Sequence, residues 1–223
     1  MIEPDITQLS PNVSRYANGK EIPMPKTANT VFIHCTRSGR IPMNPSEFEG
    51  TLNYMSRPGT TSSQWVVSRT GIAARVVRDD HQAWHAGIDN DNGWGIEIEQ
   101  AVEDDGFTSE QLWKVVEICR GYRDDFNVPP RRVFDSHPGG FVGHQDTLQG
   151  RRSGKSDPGR WFPWDWFISE LQTGQPLQPA GIGIHFRSGN AEEIWNAAEH
   201  PGEVPDGVGI RWPDGTHTTI WTP

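Results

Sequence analysis

The feature that most constrains this chain is a turn-rich stretch, residues 143–159, that concentrates ionisable side chains. It contains His144, Lys155 and Asp157, which are an imidazole, an ammonium and a carboxylate. Asp157 precedes a proline, which favours extended backbone, so Lys155 and Asp157 are expected to face one cavity. Imidazole and carboxylate are zinc ligands, and a catalytic zinc usually takes three protein ligands and keeps one position for water. The fold must therefore bring a third ligand to this stretch from elsewhere.

The best candidate for the third ligand is His34, near the end of a predicted strand. Residues 30–35 are a short apolar run of β-branched and aromatic residues, which is typical of a buried strand. A histidine that closes such a strand is as often a core residue as a ligand. Cys35 is an alternative ligand, but adjacent strand residues point to opposite faces, so we expect it to be a small buried hydrophobe. His137 is a further candidate ligand, but it lies in a loop rich in Gly and Pro, where histidines are commonly exposed.

Two further patterns predict strands. Residues 64–77 read as strand, turn and strand, which is a hairpin signal. Residues 94–100 alternate strictly, which places the isoleucines in the core and Glu97 and Glu99 together on the other face. Such carboxylates are normally solvated surface, and they acquire a chemical role only if that face lines the metal cleft.

Helix signals lie between these strands. The predicted helices run from Asn44 to about Arg57, from Thr108 to about Arg123, and from Phe162 to near Gly174. Residues 1–28 are rich in proline and aperiodic, and they predict an irregular arm over the fold. The tetrad Trp84–Gly87 is too short for an element of its own, and it is either a packing corner or part of a substrate wall.

Composition excludes several classes of function. The formal charge of −9 and the pI near 5.3 argue against nucleic acid as a partner, because such partners need clustered positive charge. No apolar run is long enough to span a membrane. The N-terminus lacks a basic region followed by an apolar stretch, and two cysteines make no disulfide framework. We therefore expect cytoplasmic synthesis without a signal peptide.

Five motifs in one order resemble the type 2 N-acetylmuramoyl-L-alanine amidase family, whose superfamily also contains the peptidoglycan recognition proteins. They are Ile33-His34, Trp84-His85-Ala86-Gly87, Gly95-Ile96-Glu97-Ile98-Glu99, Gly143-His144-Gln145-Asp146 and Lys155-Ser156-Asp157-Pro158-Gly159. The resemblance covers roughly residues 28–172. It implies an α/β fold with a central mixed β-sheet flanked by helices, and one zinc ion in a surface cleft.

The resemblance also implies roles for particular residues. The positions that match the metal ligands are His34, His144 and Asp157. Glu97 matches the acidic residue that takes a proton from water and passes it to the leaving amine. Lys155 matches the basic residue that stabilises the oxyanion. Trp84 and His85 are expected to contact the substrate, which would be bacterial peptidoglycan.

The chain departs from the family pattern at the hairpin, where some members carry a catalytic tyrosine or histidine. Here that region reads Ser63-Gln64-Trp65, which shifts proton transfer to Glu97. An alternative function is a binding module that recognises muropeptides without cutting them, but such members typically lack the ligand matched by Asp157. Another alternative is hydrolysis of a different acyl-amide, because substrate choice depends on the cleft walls.

Residues 174–223 follow the predicted amidase domain of residues 1–173 as a small β-rich module. Gly181–Trp195 aligns with Gly207–Trp221 at six identical positions. The second copy predicts a hairpin, whereas residues 191–198 of the first copy alternatively form a short helix. The aromatic residues of the two copies offer faces for sugar rings, and they are Phe186, Trp195, Trp212 and Trp221. The module either binds cell walls or only covers the main domain or a subunit contact.

Two biological settings fit such an amidase. One is a phage endolysin, which reaches the wall after release by a separate membrane-permeabilising protein. The other is a cytosolic enzyme that recycles wall fragments. A C-terminal module that binds walls favours the endolysin, whereas net charge does not separate the two settings. The sequence makes no prediction of oligomeric state.

Overall fold

The computed structural model describes residues 3–39 and 47–173 in full. It also describes the backbone of four strands between residues 181 and 221. The chain divides into two compact units, Met1–Gly174 and Gln175–Pro223. None of the helices in the described part of the chain has the length and apolarity needed to cross a membrane.

The first unit is built on a six-stranded mixed sheet with the order β1-β4-β3-β5-β2-β6. Its strands are β1 (Ile6–Thr7), β2 (Thr30–Cys35), β3 (Trp65–Val67), β4 (Ala73–Arg75), β5 (Gly93–Ile98) and β6 (Gly140–Gly143). Only the hairpin pair β3 and β4 is antiparallel, and every other neighbouring pair is parallel. The predicted α/β class with a mixed sheet is confirmed.

The described helices of this unit are α1 (Glu47–Met55), α2 (Ser109–Phe126), α3 (Leu148–Arg152) and α4 (Trp164–Thr173). The capping box predicted at Thr108 is present, because its side chain accepts from the Gln111 N–H and the Gln111 side chain accepts in return. Helix α2 runs on to Phe126, and Asn127 ends it in the left-handed conformation. The N-cap predicted at Asn44 lies outside the described residues.

The two faces of the sheet carry different side chains. On one face, alternate residues of β2 pack with the apolar sides of α2 and α4 in the main core. Phe32 and His34 alternate with these residues and point to the opposite face, where Phe32 packs with Ala86, Val133 and Val142. The core face is therefore fully apolar, whereas His34 lies on the face that holds polar chemistry.

The N-terminal arm is more regular than the sequence predicted. Ile6 and Thr7 form an edge strand parallel to β4, and isolated bridges continue the pairing further along the arm. The buried amide of Asn12 fixes the arm, because it donates to the carbonyls of Met55, the last residue of α1, and Arg57 beyond the helix. Most of the arm is irregular, and its edge strand was not predicted because two residues of strand show no periodicity that a sequence pattern can reveal.

The second unit contains two antiparallel strand pairs. Strand β7 (Gly181–His185) pairs with β8 (Ala191–Asn196), and β9 (Val208–Arg211) pairs with β10 (His217–Trp221). The alternative of a helix over 191–198 is therefore wrong, since a helix of that length is marginal alone and the strand gains a backbone partner. The turn predicted at Pro213–Gly215 lies outside the described residues.

Candidate metal centre

Three predicted ligands reach one point because two neighbouring parallel strands end at the same edge of the sheet. His34 is the penultimate residue of β2. His144 begins a 3-10 turn directly after β6, and the preceding Gly143 pairs with Ile33 of β2. Asp157 lies in the loop between α3 and α4. The sheet thus supplies both imidazoles, and a loop supplies the carboxylate.

The three donor atoms form a small triangle. Nδ1 of His34 lies 3.0 Å from Nδ1 of His144 and 3.2 Å from Oδ2 of Asp157. Nδ1 of His144 lies 3.3 Å from the same carboxylate oxygen. Tetrahedral zinc with bonds of about 2.0–2.1 Å keeps its donors roughly 3.3 Å apart. This is the one group of three such donors found among the described residues.

Burial sets the protonation state of this cluster. Loss of hydration lowers the pKa of His34 to about 4, although the nearby Asp157 carboxylate opposes the shift. Burial alone would raise the pKa of Asp157, but hydrogen bonds with His144 and His34 outweigh it and hold the pKa well below its usual range. A neutral imidazole and an ionised carboxylate are the forms that bind a metal ion.

His85 lies behind His34, away from the open cleft. Its Nδ1 is 3.2 Å from Nε2 of His34, and the two rings meet edge to face. Asn90 fixes this segment, because its Oδ1 accepts the backbone N–H groups of His85 and Ala86. A ligating histidine usually donates its second ring N–H to a nearby acceptor, which fixes its tautomer and orientation. His85 therefore contacts a candidate ligand.

Gly95 leaves the space that the His85 ring occupies. A Cβ atom on Gly95 would lie 2.6 Å from Cγ of His85, which is closer than real Cβ contacts come. Burial lowers the pKa of His85 well below its ordinary value, so the ring is neutral and its Nδ1 can accept a hydrogen bond from His34. Trp84, the neighbouring residue, is 38% exposed and presents its ring to solvent.

Glu97 stands beside His34 on the adjacent strand. The two residues are register partners in the parallel pair of β2 and β5, so their side chains share a face. Oε2 of Glu97 is buried and has no hydrogen-bond partner among the described residues. Burial, reinforced by the charge of Asp157 and opposed by Lys155, raises the pKa of Glu97 to about 8. A carboxyl with one buried, unpartnered oxygen at this position fits a site that receives a cation or a substrate proton.

Lys155 is exposed and lies in the loop that follows α3. Its backbone N–H donates to the Gly150 carbonyl at 2.9 Å. Its charge lowers the pKa of both His34 and Glu97, which places the ammonium within electrostatic reach of the cluster. Lys155 therefore acts electrostatically on Glu97 and on one of the candidate ligands.

A cleft of about 380 Å³ adjoins Glu97 and extends to α1. Hydroxyl groups and a second carboxylate dominate the polar part of its lining, which includes Thr36, Glu47, Thr51, Tyr54 and Thr61. The oxygen atoms of these groups can accept hydrogen bonds from amide N–H groups.

A family model described as N-acetylmuramoyl-L-alanine amidase matches residues 24–160, which is more than half of the chain. The chain belongs to the N-acetylmuramoyl-L-alanine amidase family. The matched segment contains His34, Glu97, His144, Lys155 and Asp157.

Individual relatives agree with this family. The chain is 29% identical over 119 residues to the 1,6-anhydro-N-acetylmuramyl-L-alanine amidase AmpD of Haemophilus influenzae, a match that covers 50% of this chain and 59% of the relative. It is 25% identical over 146 residues to N-acetylmuramoyl-L-alanine amidase A of Achromobacter lyticus, with coverage of 57% and 78%. The matched region thus spans less than two thirds of the Haemophilus protein.

A solved structure supports the fold. A mutant endolysin from Bacillus subtilis superimposes with a TM-score of 0.53 and 18% sequence identity. The superposition covers 77% of this chain and 99% of the endolysin. At this identity the likeness is one of fold.

Several sequence-based alternatives are resolved by position. His137 is exposed and does not belong to the donor cluster, and Cys35 packs in the main core. Glu99 does not share an open face with Glu97, because β5 ends at Ile98 and the Glu99 carboxylate accepts the Arg69 N–H. Of the two alternatives that the sequence left open for these carboxylates, Glu97 lines the cleft, whereas Glu99 is buried in a loop contact.

The departure at the hairpin has a structural explanation. Gln64 is fully buried, and its Oε1 accepts the Gly95 N–H at 2.7 Å while its Nε2 donates to the His81 carbonyl at 3.0 Å. The Ser63 hydroxyl donates to the carbonyl of Trp65. Both side chains are committed to hydrogen bonds with the backbone, Ser63 with β3 and Gln64 with β5 and His81, so neither supplies a free titratable group to the cleft.

Proposed function

We propose that this protein is a zinc-dependent amidase that hydrolyses the bond between N-acetylmuramic acid and L-alanine in bacterial peptidoglycan. The observation that carries the proposal is the convergence of His34, His144 and Asp157, whose donor atoms lie 3.0–3.3 Å apart beside the unpartnered carboxyl of Glu97. Family membership supports the choice of bond.

The donor set fits zinc. Two imidazole nitrogens and one carboxylate oxygen are a common catalytic zinc set, and they leave one coordination position open. A bound zinc ion would polarise the scissile carbonyl and acidify a water molecule. His34 and His144 would hold it through Nδ1, and Asp157 through Oδ2.

Glu97 is the proposed proton carrier. Its carboxylate takes a proton from the attacking water and delivers it to the amine nitrogen of the leaving L-alanine. A general base works best when its pKa lies near the working pH, and burial raises the pKa of Glu97 toward that range. Because Gln64 and Ser63 are committed to structural hydrogen bonds, no hairpin side chain competes for this role.

Lys155 and Trp84 are the proposed substrate-facing groups. The ammonium of Lys155 stabilises negative charge that develops on the amide oxygen, an effect that is strong in a site with little water. The exposed ring of Trp84 offers an apolar face to the substrate beside the cleft. His85, which was predicted to contact substrate, is 8% exposed, so we propose that it orients His34 instead.

We further propose that the protein acts on the polymeric wall, as an endolysin does. The two strand pairs of residues 174–223 carry aromatic residues that would bind wall sugars, in addition to the amidase domain of residues 1–173. In this setting the protein reaches the wall after release from the cell in which it is made. Trp195→Ala and Trp221→Ala in the full chain are expected to reduce sedimentation with purified cell walls while Trp113→Ala, on α2, serves as an aromatic control.

The test of the reaction is the release of new L-alanine amino termini. The zinc-loaded protein is incubated with purified peptidoglycan and, separately, with soluble muropeptides, including a 1,6-anhydro form. Release from polymer supports the endolysin setting, and release from soluble fragments alone supports recycling. A folded, zinc-loaded protein that releases amino termini from neither substrate would contradict the proposal and favour a muropeptide-binding module.

A further inference from the structure

The loop that carries Asp157 has no regular structure of its own. Residues 157–160 lie outside any helix or strand, between α3 and α4. The position of the Asp157 carboxylate therefore depends on what binds the backbone of this loop. Four backbone polar groups of the loop are bound by two other parts of the chain, three of them through side chains and one through a backbone N–H.

The first part is the turn that carries His144. The backbone N–H of Gln145 donates to the Asp157 carbonyl at 2.8 Å. The side-chain Oε1 of Gln145 accepts the Gly159 N–H at 3.0 Å. These two bonds join the loop of one candidate ligand to the turn of another.

The second part is an ion pair between Arg37 and Glu103. Nη1 of Arg37 lies 3.4 Å from Oε2 of Glu103. Nη2 of Arg37 donates to the Pro158 carbonyl at 2.9 Å, and Oε1 of Glu103 accepts the Arg160 N–H at 3.1 Å. The pair therefore binds the loop on both sides of Gly159.

Gly159 shows how closely the pair fits the loop. A Cβ atom at this position would lie 2.7 Å from both Nη2 of Arg37 and Oε1 of Glu103. The residue also has φ +85°, a conformation that side chains rarely adopt. The ion pair thus occupies the space that any other residue would need.

Arg37 is itself held in an unusual conformation. It follows β2 by two residues, has φ +44°, and donates its backbone N–H to the Gln100 carbonyl at 2.9 Å. A residue with a long side chain is uncommon in the left-handed region, and such positions concentrate at functional sites. The segment that presents His34 therefore also holds the loop that presents Asp157.

We propose that Arg37 and Glu103 are positioning residues that fix Asp157 for metal binding, an inference that rests on the proposed metal site. Neither residue is a metal ligand. The guanidinium uses two nitrogens at once, one on the carboxylate and one on the carbonyl, which a lysine ammonium on a single stem reproduces only in part. Loss of the pair weakens metal binding and changes the coordination geometry while all three ligands remain.

The test is metal binding by Arg37→Ala, Arg37→Lys and Glu103→Ala in the full chain. Zinc affinity is measured by competition with a chromophoric chelator, and geometry by the visible absorption of the cobalt-substituted protein. The matched control is Asp104→Ala. Asp104 lies in the same 3-10 turn as Glu103, but its carboxylate pairs with Arg160 and not with Arg37. Circular dichroism of the metal-free proteins establishes that each variant is folded.

We expect Arg37→Ala and Glu103→Ala to weaken zinc binding by about tenfold or more, the range seen when supporting partners of metal ligands are removed. Their cobalt spectra shift, Arg37→Lys recovers part of the affinity, and Asp104→Ala matches the wild type. If Arg37→Ala does not fold, Glu103→Ala and Arg37→Lys carry the test.

Folded variants with wild-type zinc affinity and an unchanged cobalt spectrum would overturn the proposal. A loss that Asp104→Ala shares equally would overturn it as well, because the effect would then belong to the whole turn. Amide hydrolysis is scored separately. A protein whose zinc affinity depends on Arg37 and Glu103 but that releases no L-alanine would contradict the proposed function. The positioning role of the two residues would still stand.

Discussion

The candidate metal centre has two halves that are held by different means. His34 and Glu97 project from adjacent central strands, where the backbone ladder and the core fix their register. Asp157 and Lys155 project from a loop whose backbone is held by side chains and backbone groups of other segments. The strand half is therefore held by many backbone hydrogen bonds and core contacts. The loop half is positioned by a few polar contacts that single substitutions can remove.

The largest expected effect comes from the strand half. Glu97→Gln removes the proposed proton carrier and preserves the shape of the side chain, so kcat should fall by about 10²–10⁴-fold. Zinc affinity should change little, because Glu97 is not among the candidate ligands. The measurement is release of L-alanine amino termini at saturating substrate. Glu117→Gln, an exposed carboxylate on α2, is the control, and equal rates for both variants would remove Glu97 from the mechanism.

The support of His34 is expected to matter nearly as much. His85→Ala removes the partner of His34 Nε2, and the zinc affinity should fall by roughly 10–100-fold. Gln145→Ala makes the corresponding change in the loop half, since it removes the acceptor of the Gly159 N–H. Chelator competition measures both. A loss for His85→Ala with none for Gln145→Ala would contradict the comparison, because the loop half is the one that depends on single side chains.

Gly95→Ala tests how closely the strand half is packed. The added methyl group collides with the His85 ring, so the free energy of unfolding should drop by about 1–3 kcal/mol, the usual result of overpacking. Gly50→Ala in α1 is the matched control, because its Cβ meets nothing within 4 Å and alanine favours a helix. Denaturant unfolding of the metal-free proteins measures both. Equal stability for the two variants would show that the His85 ring is loosely held.

A pH dependence of stability that Glu97 causes is also expected in the metal-free protein. Folding raises the pKa of Glu97 from 4.5 to about 8, so the folded state keeps a proton that the unfolded state releases. The wild type therefore loses stability relative to Glu97→Gln as the pH rises from about 4.5 to about 8, and the difference levels off above that range. Unfolding at pH 5, 7 and 9 checks this, and a constant difference would contradict the burial of this carboxyl.

The sequence predicted the strand half well because its signals are local. The apolar run at residues 30–35 and the alternation at 94–100 specify strands, and β2 and β5 are adjacent in the sheet. Residue chemistry made His34, His144 and Asp157 candidate ligands but left His34 open between core and ligand, and the family resemblance favoured the ligand. The chemistry of Glu97 depended on a burial that alternation does not reveal, because the same pattern fits a solvated face.

The supports of the loop half could not be predicted in this way. Arg37 reaches Pro158 across more than a hundred residues of sequence, and Glu103 reaches Arg160 from a short 3-10 turn. No periodicity links such positions. The motif around His85 predicted a position near the site and a contact with the substrate. A motif does not indicate whether such a side chain contacts the substrate or orients His34.

The most direct test of the account is a zinc titration of chelator-treated protein, with release of L-alanine amino termini from peptidoglycan as the readout. The account predicts no release without metal, followed by a rise that saturates at one zinc ion per chain. The same titration of Asp157→Ala should give no release at any point of that range. Full release from the chelator-treated wild type, or an unchanged titration for Asp157→Ala, would contradict a catalytic zinc held by these residues.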